Sequence, residues 1–161
     1  MPGDTLVTVS LLGFPLDLQQ LSNAWHDELL REFALVALSR EDGAVVSRHL
    51  LDLIDRTRET YAEFTDEAEA SQVDMRTAGA SRGDFDYHVP APIALACVEL
   101  NAALDEAEAF CASGSLLTIP PTALISAFRR WLLEEFVRQI RKGLPPLPWD
   151  EHLRAIGLES R

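Results

Sequence analysis

Three stretches of this chain share one plan. Ser10–Asp17 (SLLGFPLD), Phe85–Pro92 (FDYHVPAP) and Ser115–Thr122 (SLLTIPPT) each run as β-branched or apolar residues into a proline, and a long amphipathic segment follows each. Proline has no amide hydrogen and a fixed φ near −65°, so it halts a ladder and suits the first turn of a helix. The pattern therefore predicts short extended runs, each handing over to a helix. Their spacing is irregular, which excludes a solenoid of equal repeats. Two architectures accommodate it. One is a helix-dominated α/β or α+β fold with four main helices over a small sheet of up to three short strands. The alternative is an all-α four-helix bundle, in which the extended runs are linkers.

The helices follow from apolar residues three and four apart. In the first, Leu18, Leu21, Trp25, Leu29, Phe33 and Val36 form one face from the Pro15–Asp17 start, where Asp17 is the expected cap, to about Ser39. A second spans about Ala44–Glu69, with Val46, Leu50, Leu53, Ile54, Tyr61 and Phe64 inward and an acidic far end at Glu63, Asp66, Glu67 and Glu69. Residues 70–84 then lose the apolar period and read as a mobile loop. The third helix, about Ala91–Ala112, is alanine-rich and allows a neighbour close approach. The fourth, to about Arg141, buries Leu124, Phe128, Trp131, Leu132, Phe136 and Ile140. Residues 144–161 form a proline-bearing tail, with a short helix over Trp149–Leu158. The whole of 1–161 is read as one domain.

Composition removes several function classes. A formal net charge of −12 gives no basic surface to displace counterions from nucleic acid, nor any attraction to anionic lipid. No apolar run approaches the roughly 20 residues a membrane span needs, and Met1–Gly13 lacks the features of a secretion signal. The cytoplasm is the expected location. Cys97 and Cys111 lie 14 residues apart in one predicted helix. That is about 21 Å of helical rise, so they cannot bridge and read as buried, reduced thiols.

A search for chemistry yields little. There is no Glu-x-x-His pair and no Cys/His spacing of a zinc site, so no metal is expected. No glycine-rich phosphate loop and no G-x-S-x-G elbow occurs, so no cofactor or catalytic residue is assigned. His26-Asp27-Glu28 and Asp105-Glu106-x-Glu108 supply carboxylates for acid–base work in principle, but solvated helix faces explain them more simply. Arg129 and Arg130 beside Trp131 are a combination enriched at interface hot spots, and these three are the candidate partner-binding residues. The plainer account is a core tryptophan flanked by two solvated arginines.

Trp25–Leu38 (WHDELLREFALVAL), Phe85–Pro90 (FDYHVP) and Leu116–Ile140 (LLTIPPTALISAFRRWLLEEFVRQI) resemble a group of small actinobacterial proteins associated with anti-sigma and STAS partner switching. The last string is also similar to the strand–proline–helix opening of anti-sigma-factor kinases. Glu99-Leu100-Asn101-Ala102 matches their asparagine box only superficially and at the wrong spacing, and their Asp-x-Gly-x-Gly motif is absent. The resemblance therefore implies a non-catalytic member and carries over no functional residue. The leading expectation is a cytoplasmic regulatory protein that docks a protein partner through Arg129–Trp131 or the acidic end of the second helix. Within the resemblance, its setting is a sigma-factor or stress circuit. A small-molecule sensor with an apolar cavity between helices is the alternative, and an enzyme using His26 with nearby carboxylates is a third. Surplus apolar residues on a helical face would suit a homodimer.

Overall fold

The computed structural model describes residues 5–38, 44–113 and 117–158. In chain order these form β1 (Leu6–Pro15), α1 (Leu16–Ala37), α2 (Ala44–Thr77), β2 (Arg82–Pro90), α3 (Ile93–Ala112), α4 (Ala123–Arg141) and α5 (Trp149–Ile156). The protein is a helix-dominated α+β fold with a small antiparallel sheet, and the two paired strands set aside the all-α bundle. β1 and β2 alternate as half-buried strands do. Val9, Leu11 and Phe14 meet Phe85, Tyr87 and Val89 on the inner face, while Thr8, Ser10, Asp86 and His88 turn outward.

Gly13 was expected to end the first strand, yet β1 continues through it to Pro15. The register slips between Leu11 and Phe14, which places an extra residue on β1 opposite Asp84. Gly13 absorbs that bulge at φ +64°, a conformation costly for any residue with a Cβ, and its amide donates to Asp84 Oδ1 at 2.8 Å. Asp17 is not the cap of α1. The cap position is Pro15, with no side-chain bond, and Asp17 sits in the first turn, where its charge favours the positive end of the helix dipole.

Two other expectations change. Residues 70–84 are not a loop: α2 continues to Thr77, β2 starts at Arg82, and only the turn between them is irregular. The extra turns of α2 lack an apolar stripe because their inward positions are few. Gln72 is buried and bonds Tyr87, and Met75 packs against the core. The third extended run, SLLTI, lies partly outside the described residues, and Leu117–Ile119 join no strand. The Leu117 and Thr118 amides are bound by a helix side chain instead of a ladder. Glu32 of α1 accepts from them at 2.6 and 2.7 Å and from Thr118 Oγ1 at 2.6 Å. Burial alone would raise the Glu32 carboxyl, but these bonds outweigh it and hold it below its ordinary value.

α4 ties the remaining parts together. Thr122 caps it by accepting from the Ile125 amide. The Gln139 amide acts as a one-residue substitute for a third strand, accepting from Ser10 N at 2.9 Å and donating to Ser10 O at 2.8 Å. This satisfies polar groups on the open edge of β1. Glu135, 1% exposed, accepts from the Leu147 amide, Gln139 and Arg138. The proline-rich 144–148 segment is thereby pinned to α4 and delivers Trp149 into the core.

The buried side chains separate into two clusters. One surrounds the sheet, α4 and α5 and is centred on Phe14, Phe128, Trp131 and Trp149. The other joins α1, the start of α2 and the end of α3 through Trp25, Leu29, Phe33, Leu50 and Leu104. α2 spans both, but from Asp55 to Thr60 (DRTRET) it offers no apolar side chain to the seam. A cleft opens there.

Candidate ligand-binding cleft

The cleft measures about 570 Å³ and lies between α1, α2 and the α3–α4 pair. Ligand pockets of about 300–1,000 Å³ bracket that size. Its floor is apolar, made by Leu100, Leu104, Phe128, Leu132 and Leu133, and its walls carry polar groups from α1 and α2. Among the described residues, three buried side-chain atoms have no hydrogen-bond partner: Gln19 Oε1, His26 Nε2 and Arg129 Nε. All three residues line this cleft. Buried polar groups are normally paired, since leaving one unpaired costs about 1–3 kcal/mol. Three such residues around one cleft, two on α1 and one on α4, make it the candidate site.

The other bonds of Gln19 and Arg129 hold them rigidly. Gln19 Nε2 donates to Gln72 Oε1 at 2.6 Å, and Gln72 Nε2 donates to Tyr87 Oη at 2.7 Å. The chain of amides fixes Gln19 Oε1 as an acceptor and leaves the Tyr87 hydroxyl hydrogen free to donate. Burial, partly opposed by the Gln72 bond, pushes Tyr87 up to about 12, so it stays protonated. Arg129 is 3% exposed. Its Nη1 donates to Asn101 O and Oδ1 at 3.2 and 2.9 Å, and its Nη2 donates to Asp105 at 2.9 Å and to Glu108. Ser126 Oγ donates to the other Glu108 oxygen at 2.7 Å. Two carboxylates therefore neutralise the buried guanidinium and leave only Nε without a partner.

His26 borders that network. Burial and then the Arg129 charge push its imidazole down from 6.5 to about 4, against opposing pulls from Glu108 and Asp27, so it is neutral at physiological pH. In the unfolded chain it takes up a proton below about 6.5, whereas in the fold it does so only near 4. Between those values the unfolded state binds more protons, so stability falls as pH drops through this window. Comparison of the wild type with His26→Gln at pH 7 and at about pH 4.5 is expected to show the wild type losing about 2 kcal/mol more by urea denaturation. Equal losses in the two proteins would overturn the assignment.

The sequence-predicted residues separate here. Arg129 and Trp131 are interior, the latter 1% exposed with Nε1 donating to Leu147 O at 2.9 Å. Only Arg130 faces solvent, half-exposed and bonded to Asp105 at 3.1 Å. The three form no common surface. The expected solvation of both arginines also fails, because Asn101, Asp105 and Glu108 stand on one flank of α3 and take Arg129 inward. His26 was singled out for its neighbours Asp27 and Glu28; across the cleft it also feels the charges of Arg129 and Glu108. Gln19, Gln72 and Tyr87 carry no sequence signal of a site. Cys97 and Cys111 are free and buried, and burial pushes Cys97 up to about 12, which leaves an unreactive thiol.

Among the described residues, no group of three or more His, Cys, Asp or Glu side chains is placed to hold a metal ion. No helix among them is long and apolar enough to cross a membrane. Comparison with protein-family models, with curated proteins and with solved structures returns no match.

Proposed function

We propose that this chain is a non-catalytic binding protein for a small, uncharged molecule held in the cleft between α1 and α2. The observation that carries this is that the three residues bearing an unpartnered buried atom, Gln19 (Oε1), His26 (Nε2) and Arg129 (Nε), all line one cleft of ligand size. They supply an acceptor, a neutral imidazole and a donor, over a leucine floor. Arginine–carboxylate pairing around Arg129 cancels its charge, so nothing there calls for an anion. Among the described residues His26 Nε2 has no hydroxyl or thiol within hydrogen-bond reach to activate, which favours binding over nucleophilic turnover as the reading. The regulatory role expected from the sequence follows from this proposal if occupancy of the cleft sets the position of α2, its wall opposite α1.

Thermal unfolding across a panel of neutral small metabolites tests the proposal. A true ligand at about a hundred times its Kd is expected to raise Tm by about 5–10 °C, and the rise should shrink in His26→Phe and in Gln19→Leu. A panel with no shift, or a shift that both variants leave intact, would sink it.

A further inference from the structure

A second cleft, of about 480 Å³, adjoins the first. The two share Ile54, Arg58 and Glu69 of α2, Tyr87 of β2 and a floor of Leu100, Leu132 and Leu133. At 100° per residue, the α2 side chains lining either cleft fall largely on one flank of that helix. They extend from Ile54 to Arg76, about 33 Å of helix. The two clefts are thus neighbouring lobes of one crevice beneath α2. Their chemistry differs. The first lobe is lined by the three residues that carry the unpartnered polar atoms. The second adds the apolar Ala62, Ile93, Cys97 and Phe136 together with Thr57, Tyr61, Thr65 and Asp66 along its α2 wall, and among its described residues no buried side-chain polar atom is left unpaired.

Charge narrows the occupant further. Arg58, Arg76, Asp27 and Glu69 line the first lobe without salt bridges among the described residues, so two positive and two negative side chains balance. The third arginine, Arg129, is already matched by Asp105 and Glu108. Asp66 adds a carboxylate in the second lobe, so the crevice has no excess of positive charge to select an anion.

We propose that the crevice takes a single-chain, uncharged amphiphile, its hydroxyl- or amide-like end at Gln19, His26 and Arg129 and its hydrocarbon tail in the second lobe. This rests on the proposed binding role of the first lobe and adds the class of ligand. The probe is 1-decanol, titrated calorimetrically into the full chain beside 1-hexanol, decanoate and decylammonium. Four extra methylenes buried in the second lobe are expected to make 1-decanol about a hundredfold tighter than 1-hexanol. Ala62 lines only the second lobe and is half-buried on α2, so Ala62→Phe fills that lobe with little strain on the fold. This variant should bring 1-decanol down to the 1-hexanol affinity and leave 1-hexanol unchanged. Equal affinity for the two alcohols in the wild type, with both still weakened by His26→Phe, would overturn the tail and leave the small-ligand proposal standing. Decanoate or decylammonium binding as tightly as 1-decanol would overturn the uncharged end. Binding of no alcohol would overturn the amphiphile, and together with an empty metabolite panel it would remove the cleft as a binding site.

Discussion

Arg129→Met is expected to destabilise the fold by about 3–5 kcal/mol, among the largest effects of any single substitution here. The guanidinium is nearly sealed from water and makes four hydrogen bonds to Asn101, Asp105 and Glu108. Methionine fills much of the volume but strands the acceptors. Asp105 keeps Arg130 at 3.1 Å and is half-exposed, so its loss is small. Glu108, with a side chain only 15% exposed, keeps the Ser126 hydroxyl and a longer contact to Arg130 at 3.8 Å. The penalty therefore concentrates on one carboxylate. It follows that Arg129→Met combined with Glu108→Gln should be more stable than Arg129→Met alone, since the neutral amide is cheaper to leave unpaired. Urea midpoints at constant slope measure both. If the single variant loses less than about 1 kcal/mol, the network is solvated in solution and the polar wall of the cleft is not preorganised. The same substitution removes the charge that helps hold His26 low, so the acid window of His26 should narrow from below.

Much of the fold was legible in the chain, and the limits have physical causes. The alternation in TLVTVSLL and FDYHV announced two strands because one face of each is buried and the other wet. SLLTI was read as a third extended run on the same grounds, and Leu117–Ile119 join no strand because apolar β-branched composition does not specify a ladder partner. There a carboxylate of the first helix, Glu32, took the amides of Leu117 and Thr118 instead. The amphipathic periods of α1, α3 and α4 were visible for the same reason as the strands, although Leu21 and Leu124, both placed on inward faces by spacing, are exposed. The last turns of α2 were not, because Gln72 faces inward there and hydrophobic periodicity is blind to a buried glutamine. The cleft was hidden for a related reason. It is built from residues distant in sequence, with Gln19 and His26 on α1, Gln72 on α2 and Arg129 on α4. One signal was available: Asn101, Asp105 and Glu108 recur at helical spacing on a helix otherwise rich in alanine, and such a polar stripe on a closely packed helix asks for a buried cation.

Trp131→Ala is expected to cost about 3–5 kcal/mol and to release the C-terminal segment. The indole is 1% exposed and sits 5.4 Å from the Trp149 ring and 6.2 Å from the rings of Phe14 and Phe128. Removing it leaves a cavity among three aromatic neighbours that cannot collapse independently, because Phe14 is fixed by β1 and Trp149 by α5. It also leaves the Leu147 carbonyl without its indole donor, while the Leu147 amide stays on Glu135. Leu147 should then keep one of those two bonds, beside the bond from the Leu144 amide to Arg138 O at 3.2 Å that holds the start of the segment. Trp131→Phe restores most of the packing and not the hydrogen bond, so it should lose about 1–2 kcal/mol, and the difference isolates the cavity. Hydrogen exchange reports the second part: amides of α5 should exchange faster in Trp131→Ala than the global loss of stability alone predicts. A hot-spot tryptophan at a partner surface behaves in the opposite way, weakening association with little effect on the free protein. Arg130→Glu provides the contrast, since Arg130 lies half-exposed at the rim of the same turn and its loss should move stability by less than about 1 kcal/mol. If Trp131→Ala folded with wild-type stability, the aromatic cluster would not be the anchor of the C-terminal segment, and the docking role expected from the sequence would regain its central residue.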